Sequence, residues 1–290
     1  MKLKLPRRSK AKPMKPTLEY AMESALELGE KRGFIRRRTK VVGEKLAKIK
    51  PKSGYSHVLH IILTILLPIV IYVLVRIDFA QLAVIMVLLS KWRMLAVKIR
   101  HWPANFRANS VDIIVGISTV LFMDKTYSQG IQLLWVVLYV GWLLFLKPKS
   151  STLWVGLQAM VGQAMGLMAL FTVYGSASTA LLVLTTALIC YVAARHFFSA
   201  FDENLGRTIS YVWAYFAASV AWLLSHWLIY YGVVAQPVLI MTVVGYALAT
   251  LYYLHATDKL TPNIQRQFIM VLSAILVILI VFSDWSDKTT

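Results

Sequence analysis

Nine apolar stretches separated by short polar segments run from about His57 to Ser283. A helix rises 1.5 Å per residue and a bilayer offers roughly 30 Å of hydrocarbon, so stretches near twenty residues predict membrane-spanning helices. The pattern places them at about 57–75, 78–97, 110–127, 130–146, 152–173, 177–194, 208–230, 236–254 and 264–283. Strictly apolar sequence within the second and third covers only 79–90 and 111–123. Each of those runs reaches about 18–20 Å and needs help from its flanks.

Between them lies KWRMLAVKIRHWPANFRANSVD, residues 91–112. At 100° per residue Trp92, Leu95, Ala96, Ile99 and Trp102 share one face, and Lys91, Arg93, Lys98, Arg100 and His101 share most of the other. This predicts an interfacial amphipathic helix near 91–102, with Lys91, Trp92, Arg93, Lys98, Arg100 and Trp102 at the lipid surface. Pro103 turns Trp102 away from helical geometry, and Ser110 is expected to cap the next helix with Asp112 at its positive end. The plainer alternative is that Lys91 and Arg93 snorkel from the end of a longer second span.

Upstream of the spans, residues 1–55 carry 17 Lys and Arg against five Glu, most of the chain's formal charge of +18. Helices are expected over 17–32, where Thr17 caps and Gly33 stops, and over 34–50. Such an arm suits anionic lipid headgroups; nucleic acid or ribosome contact is the competing partner, and a tail without a dedicated partner the third reading. At 58% hydrophobic residues the 290-residue chain is excluded from the ordinary soluble class. A single cysteine, Cys190, excludes an intrachain disulfide and any four-cysteine metal site. The first apolar run starts only near His57, so no secretory signal is expected.

Nine crossings from a cytoplasmic N-terminus put the loops 91–109, 147–151, 195–207 and 255–266 inside, with 11 Lys and Arg. Arg76, Lys125 and Lys288 fall outside. The positive-inside rule favours this arrangement, a multi-pass cell-membrane protein with an external C-terminus. A seven-crossing alternative, with 79–90 and 111–123 re-entrant or on the surface, would put Lys91 to Arg107 outside, against that rule.

Within the fifth span Gly162 and Gly166 form a GxxxG pair extended by Gly156, a helix-packing face within the chain or across a homo-oligomer or membrane complex. Gln158 and Gln163 are expected to make interhelical hydrogen bonds, and His226 to be a hydrogen-bonded packing residue. Span-end Tyr and Trp residues read as aromatic belts. No Asp, Glu, Lys or Arg falls near the centre of any assigned span, which argues against proton-driven pumping and leaves uniport, a lipid-handling groove or a non-transport role.

The densest polar chemistry is ARHFFSAFDENLGRT after the sixth span. Arg195, His196, Asp202 and Glu203, with Asn105 and Asp112 from the earlier hinge, are expected to line a cytoplasmic vestibule able to hold a phosphate or a divalent ion; a solvated loop is the plainer reading. No catalytic residue, metal ligand or cofactor is assigned.

Nine crossings with acidic loops after spans two and six resemble the UbiA-type intramembrane aromatic prenyltransferases. That resemblance implies magnesium diphosphate bound by an Asp-rich motif in each loop. The corresponding segments here are NFRANSVD, with Asn105, Asn109 and Asp112, and FDENLGRT, with Asp202 and Glu203, and both lack the repeated aspartates. Separately, KWRMLAVKIRHWPANFRANSVDIIVG loosely resembles a segment of uncharacterised multi-pass membrane proteins of small-genome bacteria, which implies a bacterial cytoplasmic membrane and no particular activity. The sequence therefore predicts an all-α, polytopic transmembrane helical bundle of about nine spans (56–290) with a basic cytosolic arm (1–55). Its expected role is binding, transport or assembly involving lipid or small apolar molecules; the alternative is a membrane enzyme acting on a phosphate-bearing lipid.

Overall fold

The computed structural model describes residues 55–92, 96, 99–201, 203–225, 230–231 and 234–283. The basic arm with its expected helices, and His226, lie outside them. Nine α-helices follow in chain order among the described residues: α1 (Tyr55–Arg76), α2 (Ala80–Leu89), α3 (Trp102–Asp124), α4 (Gln129–Gly141), α5 (Thr152–Tyr174), α6 (Thr179–Phe198), α7 (Gly206–Ser225), α8 (Gln236–Ala256) and α9 (Pro262–Val281). A 3₁₀ turn, Ile99–His101, leads into α3, and a π-helical turn, Trp142–Leu146, continues α4. Seven of these segments are long and apolar enough to cross a membrane: Asn105–Asp124, Gln129–Leu146, Thr152–Tyr174, Thr179–Phe198, Gly206–Ser225, Gln236–Ala256 and Pro262–Val281. Large aliphatic side chains point outward along them, among them Val137 at 66%, Leu184 at 69% and Val277 at 59% exposure. Such surfaces are unfavourable in water and are the ordinary exterior of a bundle in lipid.

The structure departs from the sequence reading at the second span. Helix α2 is ten residues long, about 15 Å, and ends at Leu89. Helix α3 begins at Trp102, eight residues before the expected start, with Pro103 in its first turn. Proline is tolerated there because its missing N–H would have had no intrahelical acceptor. Ser110 is accordingly not a cap; its hydroxyl donates to Arg107 O inside the helix at 2.8 Å. Of the interfacial helix expected over 91–102, the described residues are a turn at Lys91 and Trp92, a bend at Ala96 whose N–H donates to Trp92 O at 3.1 Å, the 3₁₀ turn, and Trp102 as the first residue of α3.

Two apolar cores hold the bundle. One gathers Ile71 and Val75 of α1, Ala83 and Val87 of α2, Val111 and Val115 of α3, and Tyr139 and Trp142. The other joins Leu167 and Phe171 of α5, Leu182 and Ile189 of α6, Ala217 and Ala221 of α7, and Val238 and Met241 of α8. Glycines bring α3 and α5 together: a methyl added at Gly162 would lie 2.6 Å from Val111 Cγ1, and one at Gly166 2.7 Å from Ile114 Cγ2. These contacts advance in the same direction along both helices, so α3 and α5 run parallel with their N-termini level. Gly156 faces the Phe197 ring of α6. The GxxxG face is therefore used inside the chain.

No glycine marks two of the turns. Asp78 and Asp258 take left-handed conformations, with φ of 61° and 55°. After each, an N–H reaches back five residues, Phe79 to Leu74 O at 2.9 Å and Lys259 to Leu254 O at 2.8 Å. These bonds satisfy helix-end carbonyls in the manner of a Schellman cap. The seventh span, expected to reach 230, ends as α7 at Ser225; Tyr230–Tyr231 instead pairs antiparallel with Val234–Ala235 ahead of α8. Aromatic and β-branched residues in YYGVVA favour that extended pairing, and Pro237 opens α8 from its first turn.

Candidate functional site

Helix α3 carries a carboxylate at its midpoint. Asp112 is the eleventh of 23 residues and is buried. Lys91 Nζ lies 3.3 Å and Lys147 Nζ 2.6 Å from its Oδ2, while Trp142 Nε1 donates to Oδ1 at 3.0 Å. Lys91 reaches this depth because α2 is short: Val87 packs opposite Gly116, so α2 covers only the half of α3 beyond Asp112. Lys147 and Trp142 meet the same carboxylate because of the π turn. Residues five apart diverge by about 140° around an α-helix. Here the Lys147 N–H bonds to Trp142 O at 2.9 Å, and the wider turn stacks the two residues on one face. Burial pushes the Lys91 ammonium down to about 8, against the opposing pull of Asp112.

This overturns the expectation that no charged residue lies near the centre of a span. It also moves Lys91 from the headgroup face to the interior, where it is 7% exposed. Trp92, Arg100 and Trp102 are exposed, while Arg93 and Lys98 lie outside the described residues.

The two glutamines of α5 join neighbouring helices. Gln158 Nε2 donates to Leu146 O at 2.6 Å and Lys149 O at 3.0 Å, closing the end of the π turn, and its Oε1 meets His196 Nε2 at 3.0 Å. Gln163 Nε2 donates to Met241 O and its Oε1 accepts from Trp213 Nε1, both at 3.0 Å, linking α5 to α8 and α7.

Beside Gln163 a cavity of about 520 Å³ opens between α7 and α8, with α5 and α6 as its floor. Its wall includes Ala159, Ala194, Ile209, Trp213, Phe216 and Leu248, and no charged side chain lines it. One end is formed by aromatic rings: Tyr252 meets Phe198 and Phe201 edge to face, each with centroids 5.0 Å apart. The Tyr252 hydroxyl donates to Glu203 Oε2 at 2.6 Å. That bond and the Leu205 N–H hold the Glu203 carboxyl below its usual range.

Among the described residues expected to line one vestibule, Asp112 and His196 lie within electrostatic reach of each other, and the rest make other contacts. Asp112 sits in the charge centre, and His196 binds Gln158 one helix away. Glu203 belongs to the aromatic end of the cavity, and the backbone carbonyl of Asn105 accepts from Asn109 Nδ2 within α3 at 2.9 Å. Arg195 flanks Tyr191, whose ring stacks on Tyr211 with centroids 4.8 Å apart. Asp202 lies outside the described residues. Trp142, Lys147, Trp213 and Thr242 were not singled out as site residues; each belongs to a long apolar run or a short loop, and only tertiary packing reveals its role.

The described carboxylates of the two acidic segments, Asp112 and Glu203, do not fit a magnesium diphosphate site of the UbiA kind. Asp112 already faces two ammoniums and an indole, and Glu203 a phenol. Among the described residues no group of three or more His, Cys, Asp or Glu side chains is placed to hold a metal ion. No family model, curated protein or solved structure matches the chain.

Proposed function

We propose that this integral membrane protein binds the hydrocarbon part of a lipid, or a small apolar molecule, in the slot between α7 and α8. The cavity carries the reading. Its volume of about 520 Å³ falls inside the roughly 300–1,000 Å³ typical of ligand pockets, and its wall is almost wholly apolar. Helices α7 and α8 pack together much less extensively than α6 and α7, which leaves a lateral route from the bilayer. The same reading puts the loops at 147–151 and 199–205 on the cytoplasmic side and gives the basic arm to anionic headgroups, in keeping with the distribution of Lys and Arg.

Saturable binding of a fluorescent-tailed fatty acyl probe to the purified chain in detergent tests the proposal. Ala194→Phe and Gly245→Leu, which fill the slot, should each weaken binding at least tenfold while the melting profile stays cooperative. Unchanged affinity in both folded variants would exclude the slot.

A further inference from the structure

The cavity is not uniformly apolar, and its polar atoms specify more than a hydrocarbon. Thr242 Oγ1 is buried on its wall without a hydrogen-bond partner. A threonine inside a helix ordinarily donates to the carbonyl one turn back. Thr119 does so within α3, and Thr126 and Thr257 do so just past the ends of α3 and α8, at 2.8, 2.7 and 2.8 Å, while Thr186 of α6 is a second exception. Among the described residues five buried side-chain atoms lack a partner, and Thr242 Oγ1 is the one in this wall. An unpaired buried hydroxyl is costly unless something else bonds it.

A second donor lines the same cavity. Gln163 has its amide orientation fixed, since Trp213 N–H needs the oxygen and Met241 O needs the nitrogen. One Nε2 hydrogen goes to Met241 O, leaving the other. Gly245 keeps that nitrogen accessible: a methyl there would stand 3.0 Å from Gln163 Nε2 and 3.2 Å from the Trp213 ring. Thr242, Gln163 and Gly245 all line the same space. Two neutral donors in an apolar, uncharged wall match one kind of group, an acceptor oxygen on a neutral apolar molecule. A carboxylate or phosphate would enter without a counter-charge.

We infer that the slot takes a neutral apolar molecule bearing a carbonyl-type acceptor (ester, ketone or quinone), held by the Thr242 hydroxyl and the free Gln163 N–H. The inference rests on the binding reading above and adds the ligand's polar group.

The test uses the purified full chain in detergent and two photoactivatable probes of equal length, a diazirine-bearing C16 methyl ester and the corresponding diazirine-bearing C16 hydrocarbon. Labelling is corrected for partition into protein-free micelles. The wild type should be half-saturated by the ester at about a five- to tenfold lower concentration than by the hydrocarbon, the worth of roughly one neutral hydrogen bond. Thr242→Val keeps the shape, removes an unpaired hydroxyl, and should reduce that preference severalfold, the remainder resting on the Gln163 N–H, without changing hydrocarbon labelling or lowering the melting temperature. Equal affinity for the two probes in the wild type, or an equal loss of both in Thr242→Val, overturns the inference while leaving the slot intact. Failure of both probes to label the cavity wall removes the binding reading itself.

Discussion

Lys91 Nζ stands 3.3 Å from Asp112 Oδ2 at the midpoint of α3, across 21 residues of sequence. Taking two charges out of water costs several kcal/mol per ion unless each is compensated, and here the carboxylate also has Lys147 and the Trp142 indole. Asp112→Asn should therefore destabilise the chain by about 3–5 kcal/mol, because Lys91 is left buried without a counter-charge. Adding Lys91→Met should recover a large part of that loss. Denaturation in detergent measures both, and an Asp112→Asn variant as stable as the wild type would refute the pairing.

The same lysine gives the stability a pH dependence. Its folded value is about 8 against an ordinary 10.5, so between those values the unfolded chain binds a proton that the folded chain has released. Stability then rises with pH across the window, on the order of 1–3 kcal/mol. Wild type minus Lys91→Met should show this rise from pH 8 to 10.5; a falling or flat difference contradicts it.

Close packing of α3 on α5 makes a paired prediction at two glycines. A methyl at Gly162 collides with Val111, whereas one at Gly141 meets nothing within 4 Å. Gly162→Ala should cost about 1–3 kcal/mol and be partly rescued by Val111→Ala. Gly141→Ala should be neutral or stabilising by up to about 1 kcal/mol. Thermal melts of the variants decide it.

From α4 onward the helices, α7 apart, follow the apolar runs closely: 130–146 against Gln129–Leu146, 152–173 against Thr152–Tyr174, 236–254 against Gln236–Ala256. Twenty apolar residues in succession leave few alternatives in lipid. The region from Ala80 to Asp112 was less legible. Pro103 can end one helix or open the next, and sequence alone does not distinguish them. Asp112 looks like a first-turn residue at a helix's positive end until its neutralising lysines, 21 and 35 residues away, are in view. The cavity wall was equally hidden, since Trp213, Thr242 and Tyr252 sit among residues of similar apolar character. Gln158 and Gln163 were legible as hydrogen-bonding residues because a buried amide needs partners; their partners were not.

The proposed membrane orientation can be read directly. With Cys190 replaced by alanine, single cysteines at Ser150 and Asn204 should react with an impermeant thiol reagent only after the cells are opened, and one at Ser176 should react in intact cells. Reaction at Asn204 in intact cells would reverse the assignment.

The slot between α7 and α8 is the centre of the account, and mapping where a bound probe lands tests it most directly. Diazirine-tagged methyl palmitate, photolysed on the purified chain and located by peptide mass spectrometry, should leave saturable adducts on Trp213, Phe216, Leu248 and Tyr252, lost in Gly245→Leu. Adducts spread without saturation over the exposed faces of α1 and α9 would contradict it.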